Sequence, residues 1–244
     1  MNADDPPSYA ALTREDPNPL KRALQTRRLS DALRMAGALT PRLVVDYGGG
    51  DGAVLCAAAQ LWPQASLICF EPAPQLAAQA RALLAGLHRA EVVERESALP
   101  DAIADLVFCM EVFEHLPATE TVRALDEIDR VLAPDGRLIV GVPLEVGPPA
   151  LPKGLFRALR RPREFDGRPR HVLAAALGRP PGPRPEAEIS SGRAYFPHHL
   201  GFDHRPLLGE LGRRFAVEST CGSPFSRLPL WANSEVYVRA RKRS

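Results

Sequence analysis

A chain of 244 residues can bury about 70–75% of the surface its unfolded state exposes, so it is not a mini-protein that needs disulfide or metal staples. Hydrophobic residues at 45% and charged residues at 25% exclude whole-chain disorder and a multi-span membrane protein. The net charge of +2 is too small for the strongly basic stripe of a nucleic-acid-binding domain.

Two entries in the composition are unusual: 25 prolines, and 31 cationic residues of which only Lys21, Lys153 and Lys242 are lysine. Proline cannot donate to a helix or sheet ladder, so it marks loops outside the core. Cys56, Cys69, Cys109 and Cys221 form no CxxC pair, and three of them sit in apolar segments, which reads as reduced and structural. The first thirty residues hold Asp4, Asp5, Glu15 and Asp16 without an apolar core, and no apolar run reaches the roughly 18 residues of a membrane span. A cytoplasmic protein is expected.

In chain order, Leu20, Leu24, Leu29, Leu33 and Met35 recur among basic residues at helical spacing over 19–38. Leu43 to Tyr47 reads as a buried strand, Gly48 to Gly52 as a turn, and Ala53 to Leu61 as a helix ended by Pro63. Strands follow at Ser66 to Phe70, Glu91 to Glu94, Leu106 to Met110 and Arg137 to Val142, with helices near 74–87 and 119–132 and a turn at Asp135-Gly136. This alternation predicts βαβ units and a mostly parallel sheet. A helix at 205–214 and strands at 216–220 and Glu235 to Arg239 close the chain.

Between them, residues 144–186 are dense in proline and arginine. From Lys153 to Arg184, nine Lys/Arg face only Glu164 and Asp166, a local excess of seven positive charges. A short helix near 151–161 sets Leu155, Phe156 and Leu159 on one side and Arg157, Arg160 and Arg161 on the other. Such a helix can lie in a lipid interface or cap a pocket, although a run of this kind is commonly a solvated face. The expected organisation is a tail and amphipathic helix over 1–40, a cofactor-binding α/β core over 41–143, a basic lid or insertion over 144–200, and a C-terminal helix and final strands over 201–244 that complete the same domain.

The chemistry concentrates in Asp46-Tyr47-Gly48-Gly49-Gly50-Asp51-Gly52. A ligand approaches backbone closely only where Cβ is absent, and glycine also permits the positive φ of such a turn. Open α/β sheets bind ligands at the carboxyl ends of their strands. Asp46 places a carboxylate there for a cationic or amino group. Glu71, at the end of the second strand, sits where an acid can accept both ribose hydroxyl protons. Gly48-x-Gly50-x-x-Ala53 with Glu71 also fits a nicotinamide-dehydrogenase fingerprint, in which Asp46 and Glu114-His115 have no role.

Asp46, Gly48, Gly50, Gly52, Glu71 and the passage from Asp105 to Met110 followed by Glu114-His115-Leu116 together resemble the class I S-adenosylmethionine-dependent methyltransferases, in the broad small-molecule and lipid O-methyltransferase group. The resemblance covers about residues 40–143 by motif and 195–240 by layout. It implies a doubly wound, Rossmann-like seven-stranded sheet with a final antiparallel strand and an insertion after the fifth strand. It also implies S-adenosylmethionine as cofactor and S-adenosylhomocysteine as product.

Adenine contact is expected from Glu96, Ser97 or Ala98, because the chain departs here from the family's acidic residue followed by a small one. Glu111 is a candidate near the transferred methyl. His115 is placed at the cofactor pocket, with packing beside Leu116 as the alternative. His199, before Gly201-Phe202-Asp203, corresponds to a histidine facing the acceptor and is a candidate base. The cluster His198, His199 and His204 matches no common zinc spacing, so no metal is expected. The acceptor is expected to be a small molecule, lipid or sugar, with peripheral membrane contact through residues 151–170. Nucleic acid is disfavoured because Cys109-Met110-Glu111-Val112 is not the Asn/Asp-Pro-Pro-aromatic signature of amino-group methylation. A non-catalytic cofactor-binding module is the alternative of a different class.

Overall fold

The computed structural model describes residues 19–189 and 192–243, with side chains from Thr26 onward. The proline-rich start, together with the side chains of Leu20 and Leu24, lies outside the described residues.

The core forms because each central strand is apolar on both faces. In β1 (Leu43–Tyr47), Val44 and Val45 are both fully buried, and alternation sends them into different cores. Val45 joins Val107, Cys109, Leu138 and Val140 under Leu125 and Ile128 of α4 (Ala118–Val131) and Leu207 and Leu211 of α7 (His204–Arg214). Val44 joins Leu106, Phe108 and Ile139 under α1 (Pro19–Ala36), α2 (Ala53–Leu61) and α3 (Pro74–Leu84). These layers enclose a seven-stranded sheet.

β1 pairs in parallel with β2 (Ser66–Phe70) on one side and β4 (Ala104–Met110) on the other; β2 carries β3 (Ala90–Val93). β4 carries β5 (Leu132–Pro143), to which β9 (Glu235–Lys242) and then β8 (Phe215–Ser223) are added antiparallel, each to its neighbour. The order β3-β2-β1-β4-β5-β9-β8 reverses direction between β1 and β4, and that switch point opens a crevice at the strands' carboxyl ends. The predicted Asp135-Gly136 turn is absorbed into β5. Asp135 has φ 62°, and the β4 pairing shifts register between Ala104 and Leu106.

The described part of residues 144–200 is built of regular elements. It comprises α5 (Ala150–Arg160), a 3-10 turn at Phe165–Gly167, α6 (Pro169–Ala176) and a hairpin of β6 (Ala187–Glu188) with β7 (Ala194–Tyr195). The two helices touch through Gly154, where a Cβ would come within 2.3 Å of Val172.

The orientation of α5 departs from expectation. Arg157 is not on an outer basic face; with Lys153 it turns inward onto fully buried Glu145, at 2.7 Å from Arg157 Nη1 and 3.2 Å from Lys153 Nζ. Leu155, Phe156 and Leu159 therefore point to solvent, Leu159 being 79% exposed. Burial alone would raise the Glu145 pKa, but Lys153 and Arg157 reverse this and hold it at about 2. No helix among the described residues is long and apolar enough to cross a membrane, and all four cysteines are free thiols.

Candidate active site

The turn after β1 needs its glycines. Gly48, Gly50 and Gly52 have φ of 76°, 57° and 82°, a region that disfavours side chains. Gly48 and Gly49 donate their N–H groups to Phe70 O at 2.8 and 3.0 Å, which binds the turn to the end of β2. A Cβ at Gly50 would meet nothing within 4 Å, so this backbone borders open space.

Three buried carboxylates surround the turn. Glu71 accepts from Gly50 N and from Ala73 N, both at 2.9 Å, tying the turn to the start of α3. Burial raises the Glu71 pKa, opposed by these two backbone donors. Asp51 accepts from Ala53 N at 3.1 Å through Oδ1, while its Oδ2 has no donor. Asp46 is 1% exposed and its Oδ2 also has no donor. Burial, then Glu71 and then Asp51, push Asp46 up to about 8, with no cation among the described residues to counter them. Two orphaned buried carboxylate oxygens beside a bare backbone suit a ligand that brings a cation and hydrogen-bond donors.

At the next strand tip, the 3-10 turn Glu96–Ala98 shows which of its residues are free. Glu96 accepts from Tyr47 Oη at 2.6 Å and from Arg193 at 3.0 and 3.2 Å, so its carboxylate is engaged within the protein. Ser97 lines a cavity of about 520 Å³ with Pro72, Pro74 and Arg193, and Ala98 is exposed beside it.

After β4 the chain turns sharply. Glu111 has φ 57° and lies 3.7 Å from Arg28. A Cβ at Gly48 would strike Val112 at 2.5 Å, so this segment abuts the glycine turn. The following 3-10 turn, Phe113–His115, buries Glu114 completely, with no donor to either carboxylate oxygen. Burial and then Glu111 raise the Glu114 pKa well above its ordinary value.

His115 Nδ1 lies 2.7 Å from Phe196 O. A carbonyl only accepts, so Nδ1 carries the proton and Nε2 keeps its lone pair. The His199 ring meets His115 edge-on, 4.7 Å between centroids. Burial first, and His115 second, push the His199 pKa down to about 3, so the imidazole is neutral throughout the working pH range.

Two of the three clustered histidines thus part company with His199. His198 is 3.6 Å from Asp166, and His204 begins α7. Instead Glu114, His115 and His199 converge, one ligand atom of each lying within 4.8 Å of the others, a grouping that HHxxxxH spacing does not announce. Arg184 fixes the arrangement by donating to Glu114 O at 2.6 Å and also to His198 O, with its guanidinium 4.2 Å from the Phe196 ring centre. Sequence reasoning assigned no role to Asp51, Glu114, Glu145 or Arg184. Asp51 lay within the quoted turn, whereas Arg184 carried no local signal.

Residues 45–140 match the family described as methyltransferase domain. The chain is 34% identical over 108 residues to a malonyl-[acyl-carrier protein] O-methyltransferase of Geobacter sulfurreducens, covering 43% of this chain and 40% of that protein. It is 31% identical over 119 residues to a trans-aconitate 2-methyltransferase of Methylobacterium nodulans, covering 49% and 45%. The matched segment thus spans less than half the length of these relatives. A SAM-dependent methyltransferase structure from Aquifex aeolicus superposes with a TM-score of 0.60 at 16% identity, over 96% of this chain and 98% of that one. The fold is the class I methyltransferase fold.

Proposed function

From a chain that carries a methyltransferase domain at residues 45–140, we infer that the protein transfers a methyl group from S-adenosylmethionine to an oxygen of a small-molecule, lipid-linked or glycan acceptor. The observation that carries this reading is the unsatisfied acidic turn: Asp46 Oδ2 and Asp51 Oδ2 are buried without donors beside open backbone at Gly50. The cofactor, when bound, supplies an already activated methyl and a good leaving group.

The protein's own work is binding, orientation and proton handling. Asp46 with Gly48, Gly50 and Gly52 holds the amino-acid portion, where a cationic amino group returns Asp46 to its charged form. Glu71 takes the ribose hydroxyls while keeping its backbone bonds to the turn. Adenine falls to Ser97 and Ala98, because Glu96 is engaged by Tyr47 and Arg193. Glu111 stands at the switch point beside the methyl. His199, a neutral imidazole with one N–H and one free ring nitrogen, offers that free nitrogen to the acceptor hydroxyl as base or hydrogen-bond acceptor, and His115 orients it from the Phe196 anchor. An oxygen acceptor is favoured by the relative that acts as an O-methyltransferase. Peripheral membrane contact through 151–170 is supported by the outward apolar ridge of Leu151, Leu155, Phe156 and Leu159.

The test is incubation of the purified protein with methyl-labelled cofactor and cell extract, then separation into lipid, polysaccharide, protein and small-molecule fractions. Label enters a lipid, polysaccharide or small-molecule fraction. His199→Ala lowers that incorporation about 100-fold, the usual worth of a general base, with little change in cofactor affinity. Cofactor binding without label in any fraction contradicts an enzyme, and full activity of His199→Ala removes the base.

A further inference from the structure

A cavity of about 590 Å³ is walled by Arg163, Arg168, Arg170, His171, Arg184 and His198, with residues 182–185 at its rim. Its size is that of a small-molecule site. Phe165 forms its apolar wall, and Glu164 is the one carboxylate lining it. Glu164 is already paired with Arg161 at 3.0 Å.

The cations are not similarly spent. Among the described residues no carboxylate pairs with Arg163 or Arg170, and Arg168 reaches only the carbonyl of Arg163, at 3.4 Å. Arg184 Nε is buried with no acceptor, although the rest of its guanidinium is anchored. His171 is turned by its Nδ1 contact to Phe165 O at 2.8 Å, leaving Nε2 unengaged there. A structural arginine network would show its carboxylates, as Glu145 and Asp166 do for Arg157 and Arg161. Here four guanidinium groups line one concave wall around a single carboxylate that is bound elsewhere, and a buried N–H lacks an acceptor. Such a wall is complementary to an anion of more than one charge with several acceptor oxygens, whereas a lone carboxylate would leave most of these donors unused.

We propose that this cavity binds a phosphate-ester or diphosphate group of the acceptor, and so anchors it with its reacting end towards His199. His198 in the cavity wall is adjacent to His199, and Arg184 joins the cavity to the backbone of Glu114. The anchoring role rests on the methyltransferase reading, whereas anion binding itself does not. The proposal thus narrows the acceptor class to phosphorylated molecules, whether soluble or carried on a lipid headgroup.

The test uses the full chain and inorganic pyrophosphate, followed by calorimetry, with S-adenosylhomocysteine titrated separately as a control for fold and cofactor site. Arg163 and Arg170 are exposed, so the double variant Arg163→Gln/Arg170→Gln should fold. The expected result is pyrophosphate binding that weakens at least tenfold in the double variant and also weakens with added salt, while S-adenosylhomocysteine affinity is unchanged. Vesicles containing phosphatidylglycerol form the second arm. Vesicle binding that pyrophosphate displaces supports a headgroup phosphate in the same cavity, and vesicle binding that is absent, or that pyrophosphate leaves untouched and so belongs to the outer ridge, supports a soluble phosphorylated acceptor. Pyrophosphate binding that is absent, or equal in wild type and double variant, overturns the proposal. Failure of S-adenosylhomocysteine alone to bind counts against the cofactor reading and leaves the pyrophosphate result to judge the cavity.

Discussion

Asp46 in the glycine turn and Glu145 under the insertion are both buried carboxylates, yet they stand in opposite electrostatic states. Burial, with Glu71 and Asp51 adding to it, pushes Asp46 up to about 8, whereas Glu145, equally buried, is gripped by Lys153 and Arg157 and held at about 2. The same burial penalty is answered by protein cations in one region and left unanswered in the other. Glu145 is therefore part of the fold's own framework, holding α5 through Lys153 and Arg157. Asp46 meets no such cation among the described residues. The arginine-rich segment repeats this division internally: Arg157 and Arg161 are satisfied inward, while Arg163 and Arg170 have no carboxylate partner among the described residues.

The contrast can be broken most severely at Glu145. Glu145→Gln leaves Lys153 and Arg157 part-buried without their charge partner and should cost about 3–5 kcal/mol, read as a lower melting temperature. In the wild-type protein this contribution is present above the ordinary carboxylate range and is lost as pH falls towards about 2.

The substitution at Asp46 has the opposite sign. Between its ordinary value of 3.8 and about 8 the folded state retains a proton that the unfolded state has released, so ligand-free stability declines as pH rises across that window. Asp46→Asn should therefore stabilise the ligand-free protein at pH 8 by about 1–3 kcal/mol, while weakening S-adenosylhomocysteine binding. Thermal unfolding at pH 5 and pH 8 checks this, and a destabilised variant at pH 8 would show that Asp46 is satisfied within the protein.

The smallest effect belongs to the outer ridge. Leu159→Ser, at a 79% exposed position, should change stability by no more than about 0.5 kcal/mol yet reduce sedimentation with anionic vesicles. A large loss of stability would show that the ridge packs against the chain.

Much of this was legible in the sequence because it is local. The β1-turn-α2 unit, the parallel strands and Glu71 follow from spacing that one segment contains, and β1, α2 and β2 match their expected bounds. What was not legible depends on distant partners. Helical periodicity separates Leu155 from Arg157 but does not say which side faces inward, and buried Glu145, just before the helix, decides it. The Asp135-Gly136 turn lies within a strand because β4 pairs on both sides of it, with Leu132 before and from Arg137 onward, where β9 joins as well. Glu96 is engaged by Arg193, nearly a hundred residues away, and the ring of His199 meets that of His115 across 84 positions of chain. A buried acid with a partner and one without look identical in a sequence.

The central claim, that the glycine turn and its acids form an S-adenosylmethionine site, is tested most directly by calorimetric titration of S-adenosylhomocysteine into the wild-type protein and Glu71→Ala. The account predicts one site per chain, weakened in the variant by about 1.5–3 kcal/mol, the worth of a charge-assisted hydrogen bond. No binding to the folded wild-type protein, or equal affinity in the two proteins, would contradict it.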